Sequence, residues 1–303
     1  MKDISLKDLL EAGCHFGHRV DRWHPKAASF IYGEREGIHI IDLAKTKEGL
    51  KAACEFAKEL GTNGKTLLLV ATKRQARGLV AEAAKKAKIP YLTTRWIGGF
   101  LTNWDEVKKN IDKMNKLRQE KNDGSWNKFP KHEIIQLEKY LRKLEAVYSG
   151  VSELAARPET LFIVDVKKEI ACLREGLRCE LPIIAIVDTN ADPTPVGYPI
   201  PANDDAIGSI RFITDYIVDA YLEGRKMKEK KEGKVQEQVE KTEAEKTEKV
   251  EMKKAEEVEK IEKVEKVEAQ KTEKVETEKV EKTEPVKKKR GRPKKTEISK
   301  LKS

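Results

Sequence analysis

Three short apolar runs dominate the hydropathy of this chain: Thr66–Ala71 (TLLLVA), Leu161–Val166 (LFIVDV) and Ile183–Val187 (IIAIV). None shows the alternation of a half-exposed strand, and all are too short to be helices. Runs of this kind are buried on both faces, as in a parallel sheet. The first leads into a helical pattern over Lys73–Lys88 and the second into one around Glu169–Arg178. The third leads into a loop rich in Asp and Pro, then a last helix from about Asp204 to Leu222. With a short strand near Ile89–Leu92, the pattern predicts an α/β fold: a parallel sheet flanked by helices and joined by right-handed crossovers.

The remaining periodicities add parts around that sheet. MKDISLKDLLEAG reads as a short amphipathic helix ending near Gly13, and Ser29–Tyr32 with Ile38–Ile41 reads as a small hairpin. Leu43, Leu50, Cys54, Ala57 and Leu60 recur at helical spacing until Gly61 and Gly64. Between the first and second long runs lie two narrow stripes that the sheet does not require. Trp104, Val107, Ile111 and Met114 form one, and Ile134, Leu137, Leu141, Leu144, Tyr148 and Val151 form the other. Their spacing of three and four, with charged flanks and a turn at Lys121–Pro130, predicts an inserted antiparallel two-helix coiled-coil arm at about residues 103–155. The alternative is two ordinary helices lying on the sheet.

Charge divides the chain. Residues 1–224 hold 35 Lys and Arg against 32 Asp and Glu, a net of +3; residues 225–303 hold 27 against 20, a net of +7, making up the overall +10. All Trp, Tyr and Phe lie in the first part, so only that part can close a core, and the Lys/Glu-rich tail is expected to be disordered. Its end, PVKKKRGRPKK, reads as a solvated basic terminus, with nonspecific nucleic-acid contact as the second reading. The start lacks the apolar stretch of a signal peptide and no apolar run reaches 18 residues, so the expectation is a soluble cytoplasmic protein. Cys14, Cys54, Cys172 and Cys179 are scattered without paired spacing, as reduced thiols would be.

Candidate chemistry narrows quickly. GTNGKT at Gly61–Thr66 ends like a nucleotide phosphate loop, but Glu59 stands where the first glycine belongs, and the segment precedes a strand instead of following one. No GxGxxG follows any predicted strand, so no cofactor is expected. Cys14, His15, His18 and His24 match no standard zinc spacing, and no metal is assigned to them. Asp165, Asp188 and Asp192 fall at or beyond strand ends, where a hydrolase would keep carboxylates, but they lack a nucleophile or a companion histidine. Asp188 and Asp192 read better as turn formers, and Asn203, Asp204 and Asp205 as the cap of the last helix. Basic and aromatic residues interleave at His18, Arg19, Arg22, Trp23 and Lys26, again at Lys73, Arg74 and Arg77, and at Arg95 and Trp96 in RWIGGFLTNW. That interleaving suits phosphates and irregular RNA.

Six stretches together resemble one family, that of the bacterial small-subunit ribosomal protein S2. They are EAGCHFGHRVDRWHPK (Glu11–Lys26), FIYGEREGIHIIDL (Phe30–Leu43), ATKRQA (Ala71–Ala76), TRWIGGFLTN (Thr94–Asn103), VDVKKE (Val164–Glu169), and AIVDTNADP with YPIPANDDAI through Ile207. The resemblance implies a non-enzymatic protein with a flavodoxin-like or Rossmann-like three-layer body over residues 1–224 and a protruding coiled-coil hairpin. It implies as partners small-subunit ribosomal RNA and neighbouring ribosomal proteins, among them the messenger-capturing protein built of OB-like repeats. Its RNA-facing residues carried onto this chain are His18, Arg19, Arg22, Trp23, Lys26, Lys73, Arg74, Arg95, Trp96 and Asn103. Three features depart from the family pattern: Cys14 in place of an aliphatic residue, Gly208 in place of an arginine, and the tail at 225–303. Other readings are an RNA-associated interaction scaffold using the arm, and an α/β hydrolase or nucleotide-dependent enzyme using Asp165 or Asp188.

Overall fold

The structure, a computed structural model, describes residues 4–230. The expected tail therefore lies outside the described residues, apart from its first six positions. A five-stranded parallel sheet forms the centre, from β4 (Leu67–Val70), β5 (Tyr91–Leu92), β6 (Thr160–Val164), β7 (Ile183–Val187) and β8 (Tyr198–Pro201) in the order β5-β4-β6-β7-β8. In chain order that is 2-1-3-4-5, the flavodoxin-like arrangement, and the direction of winding reverses between β4 and β6.

Alternate residues of each central strand enter opposite cores. Leu67, Leu69, Phe162, Val164, Ile184 and Ile186 face helices α1 (Leu6–Glu11), α2 (Leu43–Asn63), α3 (Arg77–Ala87) and α7 (residues 207–230). Leu68, Val70, Leu161, Ile163, Ile183 and Ala185 face α4 (Trp104–Asn122), α5 (Lys131–Tyr148), α6 (Ile170–Arg178) and the loop bearing Trp96 and Phe100. Burial on both faces is why the three runs carry no polar alternation.

Edge strand β8 escaped the sequence pattern because YPIP holds two prolines. Pro cannot donate to a ladder, but an edge strand tolerates it. α2 covers that edge closely: Thr46 Oγ1 donates to Pro201 O at 2.6 Å, and a Cβ on Gly49 would meet Pro199 O at 2.6 Å. The cap residues of α2 are as chain chemistry requires, with Asp42 accepting from Ala44 N and Gly64 closing the helix at φ 70°.

A second sheet joins β1 (Phe16–Arg19), β2 (Ile31–Arg35) and β3 (Ile38–Ile41) antiparallel in the order β1-β3-β2. The predicted hairpin is its β2–β3 half, and β2 starts two residues later than Ser29. Helix α3 begins at Arg77, not Lys73, because a turn over 73–76 first carries the chain off the sheet edge. α7 continues to 230, past the predicted end at Leu222. It crosses α2 where Gly224 meets Gly61, so closely that a Cβ placed on Gly224 would strike Lys58 O. Gly208, at the other end of α7, would put a Cβ 2.8 Å from Ala12 O, so α1 docks where the family's arginine would need room.

α4 and α5 run antiparallel: Lys121 pairs with Glu138 at 3.0 Å, Arg118 with Glu145 at 3.1 Å, and Asn115 Nδ2 donates to Ser152 O at 2.9 Å. Val107, Ile111, Met114 and Leu117 meet Leu141, Leu144 and Tyr148 in a seam continuous with the core on that face of the sheet.

Candidate nucleic-acid interface

The carboxyl-terminal edge of the parallel sheet gathers most of the predicted residues. At the β4/β6 reversal, where open α/β sheets leave a ligand crevice, this chain has built an ion network. Lys73 is 8% exposed, and its Nζ lies 3.2 Å from Asp165 Oδ2, 2.7 Å from Asp204 Oδ1 and 2.7 Å from Asp205 Oδ1. Burial alone would lower its pKa, but Asp204, Asp205 and Asp165 outweigh burial and hold the ammonium above its ordinary value. Asp165 is a non-glycine residue at φ 69°, a conformation that Asp tolerates better than most; its Oδ1 accepts from Lys168 N at 2.9 Å. Asp204 is pushed up to about 7 by burial first and by Asp188 and Asp165 next, with Lys73 opposing.

The small sheet docks on this network through His18. Its backbone N–H donates to Thr189 Oγ1 at 2.9 Å, its Nδ1 is 3.0 Å from Asp188 Oδ2, and its Nε2 is 3.5 Å from Asp205 Oδ2. The hydrogen bond to Asp188 raises its pKa, burial opposes, and the charges of Asp188, Asp204 and Asp205 add to the rise. Next to it, His24 N donates to Thr189 O at 2.8 Å and Lys26 Nζ lies 2.7 Å from Asp192 Oδ2. The Lys26 contact holds the Asp192 carboxyl well below its ordinary range.

The ten predicted residues therefore divide. Arg19, Arg22, Trp23, Lys26, Arg74, Arg95 and Asn103 are exposed, and among the described residues Arg22, Arg74 and Arg95 have no ion-pair partner. His18, Lys73 and Trp96 are placed differently from the other seven. His18 and Lys73 are turned inward onto carboxylates. Trp96 is buried, with its Nε1 donating to Glu175 Oε1 at 3.2 Å. Glu175 is the organiser that the sequence pattern did not reveal: it also accepts from Gly99 N at 2.6 Å and Leu101 N at 3.1 Å, tying the RWIGGFL loop to α6. A lone Glu on a helix gives no signal of such a partner. Arg77 does similar work, donating to Thr72 O at 2.9 Å and Thr94 O at 3.2 Å, and so is a staple between loops.

The other candidates resolve as well. Only Asn203 caps the start of α7, its Oδ1 accepting from Asp205 N and Ala206 N, while Asp204 and Asp205 serve Lys73. Cys14 is fully buried, and burial pushes its thiol up, away from the thiolate that metal binding needs. Donor atoms of His18, Asp188 and Asp204 lie within 4.8 Å of one another, close enough to share a cation, with His18 beside Asp188 and Asp204 beside Lys73. Asp165 and Asp188, the carboxylates of the hydrolase reading, are held in the same pairs.

The family described as ribosomal protein S2 matches residues 9–224. The chain belongs to that family. It is 50% identical over 230 residues to the small ribosomal subunit protein uS2 of Dictyoglomus turgidum, covering 76% of this chain and 94% of that one. It is 47% identical over 229 residues to the uS2 protein of Coprothermobacter proteolyticus, covering 76% and 85%. S2 proteins are structural, non-catalytic components. No described helix is long and apolar enough to cross a membrane.

Proposed function

We propose that the protein is a structural constituent of the small ribosomal subunit, at work in the cytoplasm, and that the carboxyl-terminal edge of its sheet is its ribosomal RNA surface. The observation that carries this is the division of charge along that edge. A buried network fixes the loops, and Arg22, Arg74 and Arg95 are left exposed without an ion-pair partner among the described residues, with Trp23 exposed next to Arg22 and with Arg19 and Lys26 exposed but paired to Asp21 and Asp192. Exposed guanidinium groups on a rigid frame neutralise and position phosphates, and an exposed aromatic ring stacks on an unpaired base. Asn103, exposed at the start of α4, offers an amide to the same surface.

In this reading the α4–α5 pair is an arm reaching from the sheet toward a second element, RNA or a neighbouring protein such as the messenger-capturing OB-repeat protein. Nineteen residues of α4 make it about 28 Å long. The test is sedimentation of cell extract through a sucrose gradient at low magnesium, comparing the full chain with a triple variant, Arg22→Ala, Arg74→Ala, Arg95→Ala. The full chain is expected with the free small subunit and the variant near the top. Co-migration of both would remove the RNA role from this edge, and absence of the full chain from the subunit would defeat the reading altogether.

A further inference from the structure

We propose that Gly98 and Gly78 are contact residues of the RNA surface: bare main chain against which the sugar–phosphate backbone lies directly, with the Gly98 N–H donating to a phosphate oxygen. The inference rests on the RNA-surface reading above. It adds to the exposed arginines two residues that carry no charge and no side chain.

A glycine that serves its own fold has a left-handed backbone or a neighbour that leaves no room for a methyl. A Cβ on Gly61 would strike Tyr221 O, and one on Gly150 would strike Tyr91 O. Four described glycines have nothing within 4 Å of where a methyl would go: Gly33, Gly37, Gly78 and Gly98. Gly37 has φ 74°, and Gly33 sits at a register irregularity between β2 and β3, where a bulge suits it. Gly78 and Gly98 have neither reason, and both are exposed. In α3, alanine would be the better helix former at Gly78. The turn Ile97–Phe100, closed by Phe100 N donating to Ile97 O at 3.0 Å, needs glycine only at its third residue, Gly99, where φ is 84°. Its second residue, Gly98, accepts most side chains.

The two glycines with no internal reason fall beside the unpaired arginines. Gly98 is three residues past Arg95, and Gly78 is four past Arg74. Arg77, next to Gly78, donates to Thr94 O at 3.2 Å and so ties α3 to the loop that carries Arg95 and Gly98.

The Gly98 N–H has no acceptor among the described residues. On either side of it in sequence the loop is braced by Glu175, which accepts from Trp96 Nε1 at 3.2 Å, Gly99 N at 2.6 Å and Leu101 N at 3.1 Å. The free donor therefore stands on a fixed turn. Exposed main-chain N–H groups donate to phosphate oxygens, and a bare backbone lets the phosphate come close while a neighbouring guanidinium neutralises it.

The experiment uses the full chain and a small-subunit ribosomal RNA transcript, with thermal melting and RNA affinity measured on the same preparations of Gly98→Ala, Gly78→Ala and Arg95→Ala. Both glycine variants are expected to melt no lower than wild type, because the added methyl meets nothing. Gly98→Ala is expected to bind RNA about tenfold more weakly, the effect of holding a charged acceptor away from its donor. Gly78→Ala is expected to weaken binding as well, and Gly98→Leu to weaken it further than Gly98→Ala at an unchanged melting temperature.

Wild-type affinity in either alanine variant, with Arg95→Ala binding weakly, would overturn the assignment of that glycine and keep the RNA surface. Wild-type affinity in all three would defeat the surface and the contacts together. A lower melting temperature with affinity unchanged in the folded fraction would return the glycine to a role in the fold, and overturn its assignment too.

Discussion

Lys73 carries more opposed charge than any other described cation, with three carboxylate oxygens within 3.2 Å of a nearly buried ammonium. Its neighbour Arg74 is exposed and unpaired among the described residues, so two adjacent basic residues do opposite work. Removing the partner of a buried charge leaves that charge uncompensated, which costs about 3–5 kcal/mol, whereas an exposed cation far from any network changes stability by about 0.5 kcal/mol or less. Lys73→Met is therefore expected to lower the urea midpoint strongly, and Arg74→Ala hardly at all. The pH dependence has a definite sign. Asp204 is raised in the folded state, so the fold binds its proton more tightly than the unfolded chain does; stability from that group is present at low pH and lost as pH rises toward about 7. Without Lys73 to oppose it, Asp204 rises further. The Lys73→Met deficit should then be smaller at about pH 5 than at about pH 8. Equal deficits at both, measured by urea unfolding, would mean that Lys73 does not set the charge of this cluster.

At the scale of elements, what could be read in the sequence followed burial. β4, β6 and β7 were legible because burial on both faces demands unbroken apolar runs, and Ile183–Val187 was placed to the residue. β1 was not, because FGHR is half exposed and contributes His18 to an ion network instead of an apolar face. β8 was hidden by Pro199 and Pro201, and the start of α3 by a basic run, Lys73 to Arg77, that looks helical but turns first. The basic residues of the sheet edge were legible as a set. Which of them turn inward was not, since Asp165, Asp204 and Asp205 lie far from Lys73 in sequence and only the sheet order brings them together. Glycines test the packing of elements in the same way. Gly224 touches α2 so closely that a methyl would strike Lys58 O, and Gly224→Ala should cost about 1–3 kcal/mol through overpacking. Gly78, in the first turn of α3, has open space where a methyl would go, with nothing within 4 Å, and Gly78→Ala should stabilise by about 0.4–1 kcal/mol. Thermal melts of the two variants should move in opposite directions; two shifts of the same sign would show that the α2–α7 crossing is looser than described.

For the whole molecule, the question is which part of a chain of net charge +10 holds RNA. Residues 1–224 carry a net of +3, residues 225–230 (RKMKEK) add four cations and one anion for +3, and residues 231–303 carry the remaining +4 from 23 cations and 19 anions. Net charge divides almost evenly, but salt dependence does not follow net charge. It counts phosphates neutralised in fixed contacts, each releasing counterions and adding about 0.7–0.9 to the slope of log affinity against log salt. Arg22, Arg74 and Arg95 are free of ion-pair partners among the described residues and stand on segments held by the Lys26–Asp192 pair, by Lys73 and by Arg77 with Glu175 respectively, so each is placed to make such a contact. Each single alanine substitution at these positions is therefore expected to reduce the slope by about one and to weaken binding uniformly across RNA sequences. The 23 cations after residue 230 are interleaved with 19 anions that compete with phosphate for them, so ending the chain at Lys230 should leave most of the slope in place. The cut belongs there and not at Gly224, because α7 runs on to 230. Titrations of a small-subunit ribosomal RNA transcript between about 50 and 200 mM salt read both outcomes. If the slope collapses on truncation and is untouched by the three substitutions, the last 73 residues hold the RNA, and the sheet edge is a scaffold for something else.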